Sequence, residues 1–358
     1  MHTVTHQSRT RGVLLGTAVG DALGLPAEGL SRRRRARLFP GPWRHRLVFG
    51  RGLLSDDTEQ TVFVVQALLA HPDSSGRFAR RLGWSLRGWL LGLPAGIGFG
   101  TLRAILKLWL GFPPSRSGVG SAGNGPAMRV APIGVRFSED PEKLAARVAA
   151  STRVTHADPR AQTGALAIAR LVAWCFRTGA TQHPPADEFI TLLRGCGPED
   201  VEWQDIIDGI VRAVAEDQSV SEYADGLGLH RGISGYMYHT VPVAVYAWYR
   251  HCGEFEAALG AVLDCGGDTD TVGAITGALA GAVVGEEGIP RVWIDGIVDW
   301  PRGRGLLYVL SDRLSAASRI HRPLPVVRYF WPVLPVRNLL FLVIVLAHGF
   351  RRLLPPYR

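Results

Sequence analysis

The chain has 358 residues, of which 47% are hydrophobic and 20% charged, with a formal net charge of +9. A chain of that size can bury a sizeable core in one large domain or two ordinary ones, and its composition excludes wholesale disorder and a collagen-like fibre. No charge-poor apolar run of more than about 18 residues recurs, which excludes a polytopic membrane protein. The four cysteines (Cys175, Cys196, Cys252, Cys265) are scattered with no CxxC pair, and they read as reduced thiols of a cytoplasmic protein rather than a zinc site or a disulfide scaffold.

A basic balance invites a nucleic-acid reading, and its location removes it. Eight arginines follow Asp312 (Arg313, Arg319, Arg322, Arg328, Arg337, Arg351, Arg352, Arg358) with no acid among them. They account for nearly all of the excess and leave residues 1–312 close to neutral, so no specific nucleic-acid partner is expected.

In chain order, residues 9–27 imitate a secretion signal, with Arg9 and Arg11 ahead of VLLGTAVGDALGLPA. Asp21 inside that stretch, and glycines at 16, 20 and 24, read instead as a buried, closely packed helix. SDDTEQT (Ser55–Thr61) stands before an apolar helix. Paired carboxylates there either cap free N–H groups and offset the helix dipole, or supply hard oxygen ligands for Mg²⁺, Ca²⁺ or Mn²⁺. The Gly/Pro/Ser-rich connector over residues 111–134 holds GVGSAGNGPAMRVAPIG (Gly118–Gly134), whose N–H groups suit a phosphate or a plain surface loop equally. It lacks the GxxxxGK[ST] of a P-loop.

Helical spacing recurs over 61–69, 144–150, 163–176, 203–214, 241–249 and 255–263. Within VTHADPRAQTGA (Val154–Ala165), Asp158-Pro159 predicts a helix start, with His156 just ahead of it. CGGDTDTVGAITGALAGA (Cys265–Ala282) then sets Asp268, Asp270 and Thr271 between a double glycine and a small-residue helix. Two helix starts that each carry paired acids and a hydroxyl favour a binuclear site with oxygen ligands, and Glu28 in GDALGLPAEG is a further candidate. The predicted fold is all-α, with residues 1–317 as the catalytic domain. Residues 318–358 form a basic, Pro/aromatic-rich tail whose run Leu339–Phe350 fits either packing on protein or docking at a membrane surface through residues 325–358.

The ordered set GDALG-x-P-x-E (Gly20–Glu28), SDDT (Ser55–Thr58), GNG-x-x-MR-x-AP (Gly123–Pro132), THADPRA (Thr155–Ala161) and GGDTDT (Gly266–Thr271) resembles the ADP-ribosylglycohydrolase family over residues 10–315. The resemblance implies a compact orthogonal multi-helix domain with two Mg²⁺ (or Mn²⁺) ions that removes ADP-ribose from a modified protein. Residue by residue, it assigns metal ligation to Ser55, Asp56, Asp57, Asp268, Asp270 and Thr271, with Glu28, Asp57 and Asp270 in the catalytic set. Glu28 is the general acid/base. It places Gly123, Asn124 and Gly125 near the diphosphate, His156 on the ligand cleft, and Tyr236 against the adenosine or ribose. The expected reaction is hydrolysis of an N-glycosidic bond to arginine. The alternatives are the same chemistry on O-linked serine or O-acetyl-ADP-ribose, or ADP-ribose binding without turnover.

Overall fold

A computed structural model describes residues 4–320 and 322–355; of the tail arginines, Arg358 lies outside them. Among the described residues there are eighteen α-helices, and the only paired strands are two-residue pieces, Leu30–Ser31 and Gly266–Gly267, joined antiparallel. The all-α expectation holds.

The organising contact is between the first helix, His6–Gly24, and helix Thr269–Val284. Both are buried along nearly their whole length, so neither shows the one-sided pattern of a surface helix. Gly12, Gly16, Gly20 and Gly24 of the first meet Gly281, Gly277, Gly273 and Thr269 of the second, in antiparallel order. A Cβ added at Gly16 would lie 2.1 Å from the Gly277 carbonyl oxygen, and one at Gly20 would lie 2.0 Å from that of Gly273. Backbone therefore touches backbone, and any side chain at these positions would force the helices apart. The antiparallel sense brings the C-terminal end of the first helix, and with it Glu28, to the N-terminal end of the second, which carries Asp268 and Asp270.

The strand pair locks that junction. Gly29 N–H donates to Gly267 O (2.8 Å), and Gly267 has φ +87° with its Cα facing the backbone of Ile233, where a Cβ would lie 1.9 Å from the Ile233 oxygen. Only glycine fits. Helix Asp56–Ala70 and helix Pro159–Thr178 pack against the central pair. The latter starts at Asp158, whose carboxylate accepts from Arg160 N–H with Pro159 in the first turn, as the Asp-Pro signal predicts.

The tail does not stand apart from this body. Helix Leu334–Arg351 lies on it through Leu334, Asn338, Phe341 and His348, a 4-3-7 spacing that puts all four on one face. Arg337 pairs with Asp299 (Nε to Oδ1, 3.0 Å). Asn338 donates to Gly92 O (2.6 Å), His348 Nε2 sits 2.8 Å from Pro26 O, and Arg352 donates to Glu28 O (2.9 Å). Of the two readings the sequence leaves open for the tail, packing on the domain is the one this face realises.

Candidate active site

The two acidic helix starts converge on one cavity of about 410 Å³, lined by Glu28, Asp56, Asp268, Asp270 and Thr271 on one side. Gly123, Asn124, Gly125, His156 and the segment Gly98–Thr101 form the remainder. Asp57 and Ser55 lie just behind, buried.

The capping explanation of the acids does not survive this geometry. The cap of helix Asp56–Ala70 is Ser55, whose hydroxyl accepts from Asp57 N–H. A second cap comes from Asp21 on the first helix: its carboxylate accepts from Ser55 N–H (3.0 Å), Thr58 N–H (3.2 Å) and the Thr58 hydroxyl (2.5 Å). Asp268 stands at the cap position of its own helix without making a side-chain cap bond. The carboxylates that face the cavity are thus not consumed by helix termini, while both helix N-termini point positive partial charge at them.

Three acids are held where the charged form is disfavoured. Burial first, then mutual repulsion, raises Asp56, Asp57 and Asp270 well above the ordinary carboxylate range. Glu28, at the open rim, is pushed up to about 7 by desolvation and by the Asp268 charge, with Arg352 opposing. Asp21 rises to about 6 by burial, despite the hydrogen bonds it accepts from Ser55 and Thr58. Such a cluster of like charges calls for a cation.

The donor set fits one. Asp57 Oδ2 is engaged by the hydroxyls of Ser55 (3.1 Å) and Thr271 (3.4 Å), yet Asp57 Oδ1 and Asp270 Oδ1 are buried with no hydrogen-bond partner. Buried carboxylate oxygens without donors are costly, and hard divalent cations take carboxylate and hydroxyl oxygen as ligands. Among the described residues no three acid, histidine or cysteine groups are already closed around a point. The fit rests on the two orphaned oxygens and on the chemistry of the donors.

Asn124 lines the cavity, but its amide is committed to positioning: Nδ2 donates to Asp268 Oδ2 (2.7 Å) and to the Thr240 hydroxyl (2.9 Å). His156 is buried against the glycine loop; a Cβ on Gly123 or Gly125 would lie 3.1 or 3.2 Å from its ring. Burial and the nearby Arg129 guanidinium lower its pKa to about 3, so it acts as a neutral hydrogen-bonding imidazole and not as a proton shuttle. Tyr236 is not brought into this cavity. Its hydroxyl donates to Glu202 (2.6 Å) and accepts from Arg160 (3.3 Å), and its ring lines a neighbouring cavity with Tyr238 and His239. It adjoins the acid cleft only through its backbone bridge to Gly123.

Sequence reasoning assigned no site role to Asp21 or to a hydrogen-bonded chain behind the cleft. That chain runs from Asp56 to Gln60 (3.1 Å), from Gln60 to Arg129 (2.6 Å), from Arg129 to the Thr155 hydroxyl (2.7 Å), and on to His156 Nδ1 (2.8 Å). The signal for Asp21 was present, because an acid inside the apolar, glycine-spaced half of a buried helix must find buried donors. Nothing local marked the Gly98–Thr101 wall.

Comparisons with known proteins agree with this architecture. A sequence model of the family described as ADP-ribosylglycohydrolase matches residues 2–323. The chain is 31% identical to an uncharacterised protein of Archaeoglobus fulgidus, over 82% of this chain and 92% of that one. It is 28% identical to the ADP-ribosyl-[dinitrogen reductase] glycohydrolase of Rhodospirillum rubrum (80% and 89% covered) and 28% identical to human ADP-ribosylhydrolase ARH3 (80% and 88%). Among solved structures, one titled "ADP-ribosylglycohydrolase-related protein complex" superposes with a TM-score of 0.64 at 26% identity, covering 88% of this chain and 99% of that one. The chain belongs to the ADP-ribosylglycohydrolase family, whose named members hydrolyse glycosyl bonds.

Proposed function

We propose that this chain is a divalent-metal-dependent hydrolase that releases ADP-ribose from a modified protein by cleaving the N-glycosidic bond to arginine, and that it works in the cytoplasm. The observation that carries this reading is the convergence of two acidic helix starts and Glu28 on a single cavity, with two buried carboxylate oxygens left unpaired. The dinitrogen reductase glycohydrolase of Rhodospirillum rubrum, by its name, acts on an ADP-ribosylated protein, and that supports the substrate class. The tail helix adds a second contact surface beside the cleft.

Ser55, Asp56, Asp57, Asp268, Asp270 and Thr271 would hold two Mg²⁺ or Mn²⁺ ions. Bound there, such ions would supply Lewis acidity at the ribose. The chain's own groups divide the remaining work. Glu28, with a proton affinity near neutrality, gives a proton to the leaving group or takes one from the attacking water as the anomeric carbon gains positive character. Asn124 fixes the Asp268 carboxylate. Neutral His156 offers a hydrogen bond from the cavity wall without adding charge. The backbone of Gly123 and Gly125 leaves room for the diphosphate.

Asp270→Asn keeps the shape and removes the charge. It should reduce release of ADP-ribose from an arginine-modified protein by about a thousand-fold or more. It should also abolish Mg²⁺ binding measured by calorimetry. Full activity in that variant, or equal activity with a chelator present, would overturn the metal assignment. Faster release from serine-linked or O-acetyl-ADP-ribose than from the arginine-linked substrate would move the leaving group and leave the site intact.

A further inference from the structure

The tail helix has two faces, and the body uses one. The other carries Val336, Leu339, Leu340, Val343, Leu346 and Phe350, each more than half exposed. Alongside it, the turn between Val48 and Arg51 presents Phe49 fully to solvent, at a positive φ of 45°. Non-glycine residues rarely adopt that backbone conformation, and here it is spent on projecting an aromatic ring away from the protein. Between the turn and the helix lies a cavity of about 870 Å³. Arg44, Arg46 and Arg351 line it together with Phe49 and Ile344, and no acid takes part.

We propose that this face docks on an anionic lipid bilayer. The helix Leu334–Arg351 lies in the plane of the interface, Phe49 inserts beside it, and the arginine-lined cavity receives a lipid phosphate. Charge selects this occupant. The chain after Asp312 holds arginines and no acid, so a second copy of the same face would set arginine against arginine, whereas an anionic headgroup layer complements it. An amphipathic helix with an apolar face flanked by arginine and aromatic residues is the form that lies in an interface. The helix is long and apolar enough to span by composition. It is nevertheless pinned along its length to Asp299, Gly92 and Pro26 by Arg337, Asn338 and His348, and spanning would break all three contacts. The opposite, body-facing side of the helix is tied toward the cleft: Asn338 holds Gly92, six residues ahead of Gly98, and the exposed Phe99 lines the acid cavity.

The test is co-sedimentation of the full chain with vesicles of phosphatidylcholine alone and of phosphatidylcholine with phosphatidylglycerol, read without any turnover. The expected result is binding to the anionic vesicles only, reversed by high salt. The pair Phe49→Asn and Leu346→Glu should cut the bound fraction by at least about ten-fold, since asparagine tolerates the left-handed backbone and Leu346 faces solvent. The melting temperature and ADP-ribose release from a soluble substrate should stay unchanged in that pair. Equal binding to neutral vesicles, or undiminished binding of the variant, would overturn the proposal. So would a lipid-free dimer abolished by the same substitutions, or protein that resists alkaline carbonate extraction as a spanning helix does.

Discussion

The segment Leu25–Glu28, which delivers the rim carboxylate to the cleft, lies between two helix contacts of opposite character. Just ahead of it, the first helix meets helix Thr269–Val284 backbone against backbone, with glycine facing glycine and no side chain between. On the tail helix the contact is made by long side chains, His348 on Pro26 O and Arg352 on Glu28 O. The first arrangement leaves no freedom of approach, and it places the groups that must meet a common ligand. The second relies on replaceable hydrogen bonds, each contributing about 1 kcal/mol, and it attaches a surface whose exact depth the cleft does not need.

The sharpest way to break the contrast is to put a side chain into the glycine contact. Gly277→Leu should cost more than about 4 kcal/mol in urea unfolding, since the helices must separate around a branched side chain. In the tail helix, Gly349→Ala meets nothing within 4 Å and should stabilise by up to about 1 kcal/mol.

Next in size is the dependence on pH and metal. Asp21, Glu28, Asp56, Asp57 and Asp270 all have pKa values raised by folding, so the folded chain binds more protons than the unfolded chain does. In chelator, stability should therefore fall as the pH rises from about 5 to about 8, and Mg²⁺ at the upper end should restore it. Thermal melts with and without the ion measure this, and a flat profile in chelator would show that the acids do not repel one another.

A smaller effect is expected from Asn124→Ala. The Asp268 carboxylate loses its donor, ADP-ribose release should drop by about ten- to a hundred-fold, and the melt should shift by only the one to three kcal/mol of a lost buried hydrogen-bond pair. The smallest is Arg352→Ala, at about 1 kcal/mol or less in urea unfolding, with the pH profile of ADP-ribose release moved upward because the charge that opposes the rise of Glu28 is gone.

Much of this was legible in the chain. Glycine every fourth residue in two segments announced helices that approach closely, and the acids beside them were visible as a group because they sit in short motifs. Family membership follows from the same motifs in order. What could not be read is long-range. Asp21 serves a helix whose cap, Ser55, lies 34 residues later, and its role depends on a packing angle that no local pattern encodes. The chain from Asp56 to His156 crosses three segments through side chains whose local signals are ordinary. Tyr236 turns toward Glu202 and Arg160 because that ion pair lies on the far side of its own loop. The tail's apolar run was compatible with packing and with a membrane surface because one of its faces is buried on the body while the other is apolar and exposed.

The glycine pairing has a consequence for how the protein comes to exist. Gly24 and Thr269, which touch through a hydrogen bond, are 245 residues apart in sequence. During synthesis the first helix is made early and then waits, its flat apolar flank uncovered, until the last quarter of the chain emerges. Contacts of such separation are slow to form and leave intermediates prone to association. No nascent fragment that stops short of Asp268 carries both acid sets, so the acidic cleft is assembled only as folding completes and has no half-built form.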